Sequence, residues 1–248
     1  MKRVLILGGT GDAARLAARA AVLTGVEVIT SMAGRVRQPA TPAGRMRIGG
    51  FGGAAGLIDY VRDQHIDLLI DATHPFATHI SHHAVTAAQA CGLPHLMLVR
   101  PPWEAEAGDR WIAVESMAAA VAVLPRVARR VFLTIGRQEL AAFAALQNLW
   151  FLMRMIDPPL PETPVPPGLL LLERGPFTLD DERQLLTTHA IEAIVSKNSG
   201  GDATYAKLIA ARELGLPVVM IQRPPMPAGE QVADVEQTLV WVENHLLG

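Results

Sequence analysis

"GLPHLMLVRPP" (residues 92–102) returns near the end of the chain as "GLPVVMIQRPP" (residues 215–225). Gly, Leu, Pro, Met, Arg, Pro and Pro fall at the same places in both. Each copy reads as the close of a helix followed by a buried strand. Gly ends the helix in a left-handed turn and Pro prevents its continuation. The apolar residues then enter a sheet, and Arg-Pro-Pro forces the chain out again. The likeness extends upstream, where "IDLLID" (66–71) corresponds to "IEAIVS" (191–196), each leading through a polar loop into an Ala-rich helix. Convergent loops would repeat a few residues; a duplication repeats consecutive elements, as here. Strands this alike can pair with either sheet, so strands can be exchanged between the two halves.

The remainder of the chain keeps the same rhythm. Apolar runs at 4–7, 26–30, 66–72, 95–99, 131–135, 149–155, 191–196 and 218–221 read as buried strands, with 46–49 a weaker one. Between them 12–23, 54–64, 77–91, 115–124, 137–146, 178–188, 203–213 and 232–247 carry helical spacing. Alternation of this kind predicts an α/β fold: two Rossmann-like halves, mainly parallel sheets, helices on both faces. The boundary falls after the first Arg-Pro-Pro, giving 1–102 and 103–248 as the two domains. "DPPLPETPVPPG" (157–168) reads as a stiff, extended loop.

The chain has 248 residues, half of them hydrophobic, and a net charge of −2, so it lacks the basic footprint of a nucleic-acid binder. Its single cysteine, Cys91, excludes an internal disulfide and fits a reducing, cytoplasmic setting. No apolar run reaches the roughly 18 residues that a membrane span needs.

"VLILGGTGDAARLA" (4–17) places a glycine-rich turn between the first strand and the first helix. Gly9, Gly11 and Ala14 satisfy G-x-G-x-x-A, with Gly8, Thr10 and Asp12 in the same turn. Glycines let a pyrophosphate approach the amides at the positive end of the helix. The second strand ends in "TSMAGR" (30–35) rather than in the carboxylate that an NAD ribose prefers. Ser31, Gly34 and Arg35, with Thr30 and Arg37 beside them, suit a 2′-phosphate and favour NADPH; solvated loop arginines are the plainer alternative. "DATHPFATHIS" (71–81) leaves a strand at the carboxyl edge of the sheet, where Thr73, His74 and Pro75 can border the nicotinamide half of the cofactor. Asp71 can equally cap the next helix. His74, His79, His82 and His83 have a partial metal-ligand spacing, but no carboxylate completes a set and no metal is expected.

In the second half the matching loop is "SKNSGGDATYAKL" (196–208). Lys197, Asn198, Ser199, Gly200 and Gly201 before a helix make an anion cradle, or else an ordinary capped helix start. "FLTIGRQEL" (132–140) places Arg137 similarly. Arg100, Arg154 and Arg223 stand at other strand ends, so cations can gather around a polyanion.

These motifs together, "ILGGTGDAARLA", "DATHPFA", "RPPW", "FLTIGRQEL" and "KNSGGDATYAKL" with "ARELGLPVVMIQRP", resemble the precorrin-6A reductase family of cobalamin biosynthesis over nearly the whole chain. The resemblance implies NADPH-dependent reduction of one C=C bond, at C18–C19, of a tetrapyrrole that carries many carboxylates. It leaves open whether that ring holds cobalt and whether neighbouring pathway enzymes make transient contact. Arg137, Arg154, Lys197, Asn198, Ser199, Gly200 and Gly201 are then expected to orient the carboxylates. His74, Lys197, Tyr205 and solvent all stand as sources of the proton. Two rivals share the first half: a reductase of another conjugated small molecule, and a non-catalytic NADP(H) sensor. A tetrapyrrole spectral shift separates the former, and failure to oxidise NADPH with any corrin precursor marks the latter.

Overall fold

The computed structural model describes residues 1–34 and 44–246. The chain divides into two compact units, Met1–Pro101 with Pro224–Gly248, and Pro102–Arg223. Each is built around one six-stranded, wholly parallel sheet.

In the first unit the strands are β1 (Lys2–Leu7), β2 (Val26–Met32), β3 (Arg45–Ile48), β4 (Leu68–Asp71), β5 (His95–Leu98) and β12 (Gln231–Val232), ordered β12-β5-β4-β1-β2-β3. The central strand shows why helices cover both faces. Val4 and Ile6 pack into one cluster with Leu16, Ala17 and Ala20 of α1 (Gly11–Ala20) and Leu239, Trp241 and Val242 of α7 (Val235–Leu246). Leu5 and Leu7 point the other way, to Leu57 and Val61 of α2 (Gly53–Asp63) and Ala84, Ala87 and Ala88 of α3 (Thr78–Cys91). Alternate residues of a strand face opposite sides, so a strand apolar at every position needs two covers.

The second unit holds β6 (Arg110–Val114), β7 (Arg130–Leu133), β8 (Trp150–Met155), β9 (Gly168–Leu172), β10 (Ala193–Lys197) and β11 (Pro217–Ile221), ordered β6-β11-β10-β7-β8-β9. Phe132, Leu152, Ile194, Val218 and Met220 of this sheet meet Leu186 of α5 (Leu179–Thr188) and Leu208 and Ala211 of α6 (Ala206–Glu213). A short helix, α4 (Met117–Val123), follows β6, and a 3₁₀ segment spans Arg137–Phe143.

The repeated stretch has the same geometry twice. Gly92 and Gly215 close α3 and α6 with φ of 60° and 65°, a conformation open to glycine at little cost. The strands that follow sit in equal register on their neighbours: Leu69↔His95 and Asp71↔Met97 in one sheet, Ile194↔Val218 and Ser196↔Met220 in the other. After each Arg-Pro-Pro the chain leaves for the other sheet. β6 adds beside β11, β12 adds beside β5, and each leads into a helix capped by an acceptor at the same place, Ser116 and Asp234. The sixth strand of each repeat is thus exchanged.

This exchange corrects the expected boundary of the second half. Residues 224–248 belong with the first unit, not with 103–223, because β12 completes its sheet and α7 fills its core. The two-residue β12 straddles the start of the 232–247 stretch that reads as helix, and "RWIAV" of β6 alternates too weakly to declare itself as a strand.

Candidate functional site

At the carboxyl edge of the first sheet, β1 runs into the glycine turn. The Gly8 amide donates to the Ser31 carbonyl at 2.8 Å, which keeps the turn in the plane of the sheet. A Cβ on Gly8 would stand 3.2 Å from Thr30 Cγ2 and 3.5 Å from Ala13 Cβ, so the strand and helix pack closely only with glycine there. Gly9 has φ of 113°, and a Cβ on Gly9 or Gly11 would meet nothing within 4 Å. The outer side of the turn is therefore open at the amino terminus of α1, the shape and polarity a pyrophosphate needs.

Two residues of that turn serve the scaffold. Thr10 accepts from the Ala13 amide at 3.0 Å as the helix cap and donates to the Ala72 carbonyl at 2.8 Å, tying the turn to the loop after β4. Asp12 is paired with Arg100 at 2.8 Å and with Arg15, so the first Arg-Pro-Pro anchors the start of α1. Asp12 was expected to face the cofactor; its carboxylate is engaged within the unit instead. Asp71 caps no helix, as its Oδ1 accepts from the Thr73 amide at 3.0 Å and the Thr73 hydroxyl at 2.6 Å. Next to it, His74 accepts from the Phe76 amide through Nδ1 at 3.2 Å, which places the proton of its neutral form on Nε2. Pro75 follows in the same turn.

Gly34 closes the end of β2 with φ of 71°. Arg35, like Arg37, lies outside the described residues. A cation stands beside Ser31 nevertheless. Arg47 of β3 pairs in register with Ser31 and donates to its Oγ at 3.3 Å, to Gly49 O at 2.5 Å and to Gly50 O at 2.8 Å. Its guanidinium lies 3.8 Å over the Phe51 ring. Sequence reading passed over Arg47 because only the strand register brings it to Ser31, and "MRIG" is a faint strand.

The second unit offers its own carboxyl edge. Lys197 ends β10 and is ion-paired with Glu139 of the 3₁₀ segment, both side chains largely covered. Arg137, which opens that segment, donates to the Pro158 carbonyl of the proline-rich loop at 3.2 Å. The loop after β10 is fixed from two sides. Trp103, from "RPPW", exchanges two hydrogen bonds with the Asn198 amide group (2.7 and 3.0 Å) and donates its indole N–H to Gly201 O at 2.9 Å. Arg223, from the second Arg-Pro-Pro, donates to the carbonyls of Asn198 and Ser199 at 2.8 and 2.9 Å. Gly200 and Gly201 follow with φ of 69° and 77°, and among the described residues their N–H groups donate to nothing. Loop carbonyls are drawn inward while two adjacent amides stay available, the makings of an anion nest.

Three expected site residues are placed otherwise. Asn198 is 4% exposed and spends its side chain on Trp103, so it builds the loop. Arg154 shares the face of β8 with Leu152 and so turns under α5, where it meets Glu182 at 2.6 Å and lies 3.6 Å from the Phe177 ring. Tyr205 donates to Glu106 at 2.7 Å and accepts from Arg212 at 3.1 Å. Burial, then Glu106, hold its phenol above the usual range, which makes it a weaker acid. Among the described residues no group of three or more His, Cys, Asp or Glu is assembled that could hold a metal, and no helix is long and apolar enough to cross a membrane.

Comparison with known proteins covers the same length of chain. Residues 3–243 match the family described as precorrin-6x reductase CbiJ/CobK. A precorrin-6A reductase of Rhodococcus erythropolis is 53% identical over 98% of both chains. A solved structure titled CobK precorrin-6A reductase superposes with a TM-score of 0.93 at 46% identity, covering 99% of this chain and 97% of that one. A cobalt-precorrin-6A reductase of Priestia megaterium is 27% identical over 95% of this chain and 96% of its own.

Proposed function

The chain belongs to the precorrin-6x reductase family, and from that premise we propose that it reduces the C18–C19 double bond of precorrin-6A with NADPH in cobalamin biosynthesis. It is an oxidoreductase of the CH–CH type, and its family implies a reduced nicotinamide as donor. The higher identity to a relative named without cobalt than to one named with it supports a metal-free ring as substrate.

The observation that carries the cofactor assignment is the open glycine turn beside the Arg47–Ser31 pair. The amides of Gly9 to Gly11 would hold the pyrophosphate. Ser31 and Arg47 would hold the 2′-phosphate, with the Arg47 guanidinium already oriented by two carbonyls and an aromatic ring. Thr73, His74 and Pro75, beyond β4, would border the nicotinamide half. When bound, reduced nicotinamide supplies the hydride; the chain's own residues must supply placement, exclusion of water and a proton. Tyr205, bound to Glu106 and Arg212, drops out as the acid. His74, which could act only in its doubly protonated form, Lys197, ion-paired with Glu139, and solvent would remain as sources of that proton.

For the macrocycle, Lys197 at the end of β10 and Arg137 at the start of the 3₁₀ segment would add positive charge to the carboxyl edge that carries Ser199 and the Gly200 and Gly201 amides. A substrate with many carboxylates is held by such charge-assisted contacts more strongly than a neutral ring would be. Losing Arg47 tests the phosphate assignment. Arg47→Ala is expected to raise KM for NADPH about 10- to 100-fold, the loss of a charged hydrogen bond or two, with KM for NADH and for precorrin-6A little changed. Equal effects on NADPH and NADH would remove Arg47 from the 2′-phosphate.

A further inference from the structure

Beneath the cradle loop of the second unit lies a lysine that no step above uses. Lys207, in the first turn of α6, is 3% exposed. Its ammonium donates to the Thr204 carbonyl at 2.7 Å and stands 4.8 Å over the Trp103 ring. The charged groups acting on it are Glu182 of α5 and Arg154 of β8, which are paired with each other. Two buried cations thus share one carboxylate, whose second oxygen has no hydrogen-bond partner.

Such an arrangement is costly for a scaffold. A buried ammonium loses most of its hydration, and a methionine of similar length would fill the space without that penalty. What Lys207 does hold is specific. Thr204 closes the loop that begins at Asn198, and Trp103 grips the same loop at Asn198 and Gly201. The ammonium therefore joins the last carbonyl of the loop to the side chain that clasps its beginning.

We propose that Lys207 is a positioning residue for substrate binding: its ammonium, set between Thr204 and Trp103, locks the Asn198–Tyr205 loop in the form that presents Gly200 and Gly201 to a carboxylate of the macrocycle. This rests on the reading of that loop as the substrate cradle. It adds that the grip is conditional on charge. Burial pulls Lys207 down to about 7, against the pull of Glu182 and with the help of Arg154. The locked form is therefore full below that value and fades as pH rises through it, while substrate carboxylates stay ionised throughout the window.

The test is steady-state kinetics of the full chain with saturating NADPH between pH 6 and 9.5, for the natural protein, Lys207→Met and Lys197→Ala. The natural protein should show KM for precorrin-6A beginning to rise near pH 7 and approaching about tenfold per pH unit above about pH 8, the limiting slope of one proton. Lys207→Met should have a high, pH-independent KM for precorrin-6A, an NADPH KM within about twofold of normal, and an unfolding temperature equal to or above normal. Lys207→Met with normal KM and normal pH profile, beside a Lys197→Ala variant whose KM for precorrin-6A is raised, would overturn the role of Lys207 and keep the cradle. A Lys197→Ala variant with unchanged KM would instead overturn the cradle itself. Should Lys207→Met fail to fold, the natural protein still decides: a KM flat from pH 6.5 to 9 contradicts the proposal.

Discussion

Glu182→Leu is expected to destabilise the second unit by about 3–5 kcal/mol, a large share of the 5–15 kcal/mol that a folded domain holds. Glu182 is fully buried and faces two cations, Arg154 at 2.6 Å and Lys207 through the low-dielectric interior. Removing it leaves a guanidinium among Phe132 and Phe177 with its charge unopposed. The Leu side chain replaces much of the volume, so the loss reports charge rather than cavity. Urea unfolding by circular dichroism measures it. The loss should be larger at pH 6 than at pH 9, because Lys207 adds a second unopposed cation only while it is protonated. In the natural protein the sign runs the same way. Lys207 titrates near 7 when folded and near 10.4 when unfolded, so the unfolded chain binds more protons between those values and this residue's contribution makes stability rise with pH there. A Glu182→Leu variant as stable as the natural protein at pH 6 would mean that the cations find other partners.

Gly9→Val should raise the Kd for NADPH about 100-fold or more, with the chain still folded. At φ of 113° a β-branched residue is strained by about 1–3 kcal/mol. The Cβ position is open, so the strain is met without collision inside the unit and the side chain projects into the space assigned to the pyrophosphate. Displacing the phosphates from the helix terminus adds to the loss, and about 2.7 kcal/mol suffices for two orders of magnitude. Fluorescence titration of NADPH reads the Kd. Affinity within threefold of normal would take the cofactor away from this turn.

Much of this was legible before any coordinates. The doubled "GLP…RPP" gave two α/β halves because the features it encodes, a left-handed glycine, a proline stop and an apolar strand, are local. The glycine turn was legible for the same reason. What sequence concealed was everything set by register and facing. Arg154 stands near a strand end like a ligand, yet its parity with Leu152 turns it under α5. Asn198 sits in a polar motif, and only the return of Trp103 shows it to be a clasp. Arg47 reaches Ser31 through a strand pairing that no periodicity announces. The fate of residues 224–248 was hidden because a two-residue strand carries no pattern, although it decides which core α7 completes.

The central claim is that the cofactor and the macrocycle are held by different units, NADPH by the Gly8–Gly11 turn with Ser31 and Arg47, precorrin-6A by Lys197 to Gly201 with Arg137. Amide hydrogen exchange with each ligand added alone addresses it directly, since a bound anion slows exchange at the amides it covers. NADPH alone should protect residues 9–14 and 31–32 and leave 197–204 unchanged, while the tetrapyrrole alone should do the reverse. NADPH protection at 197–204, with none at 9–14, would contradict the account.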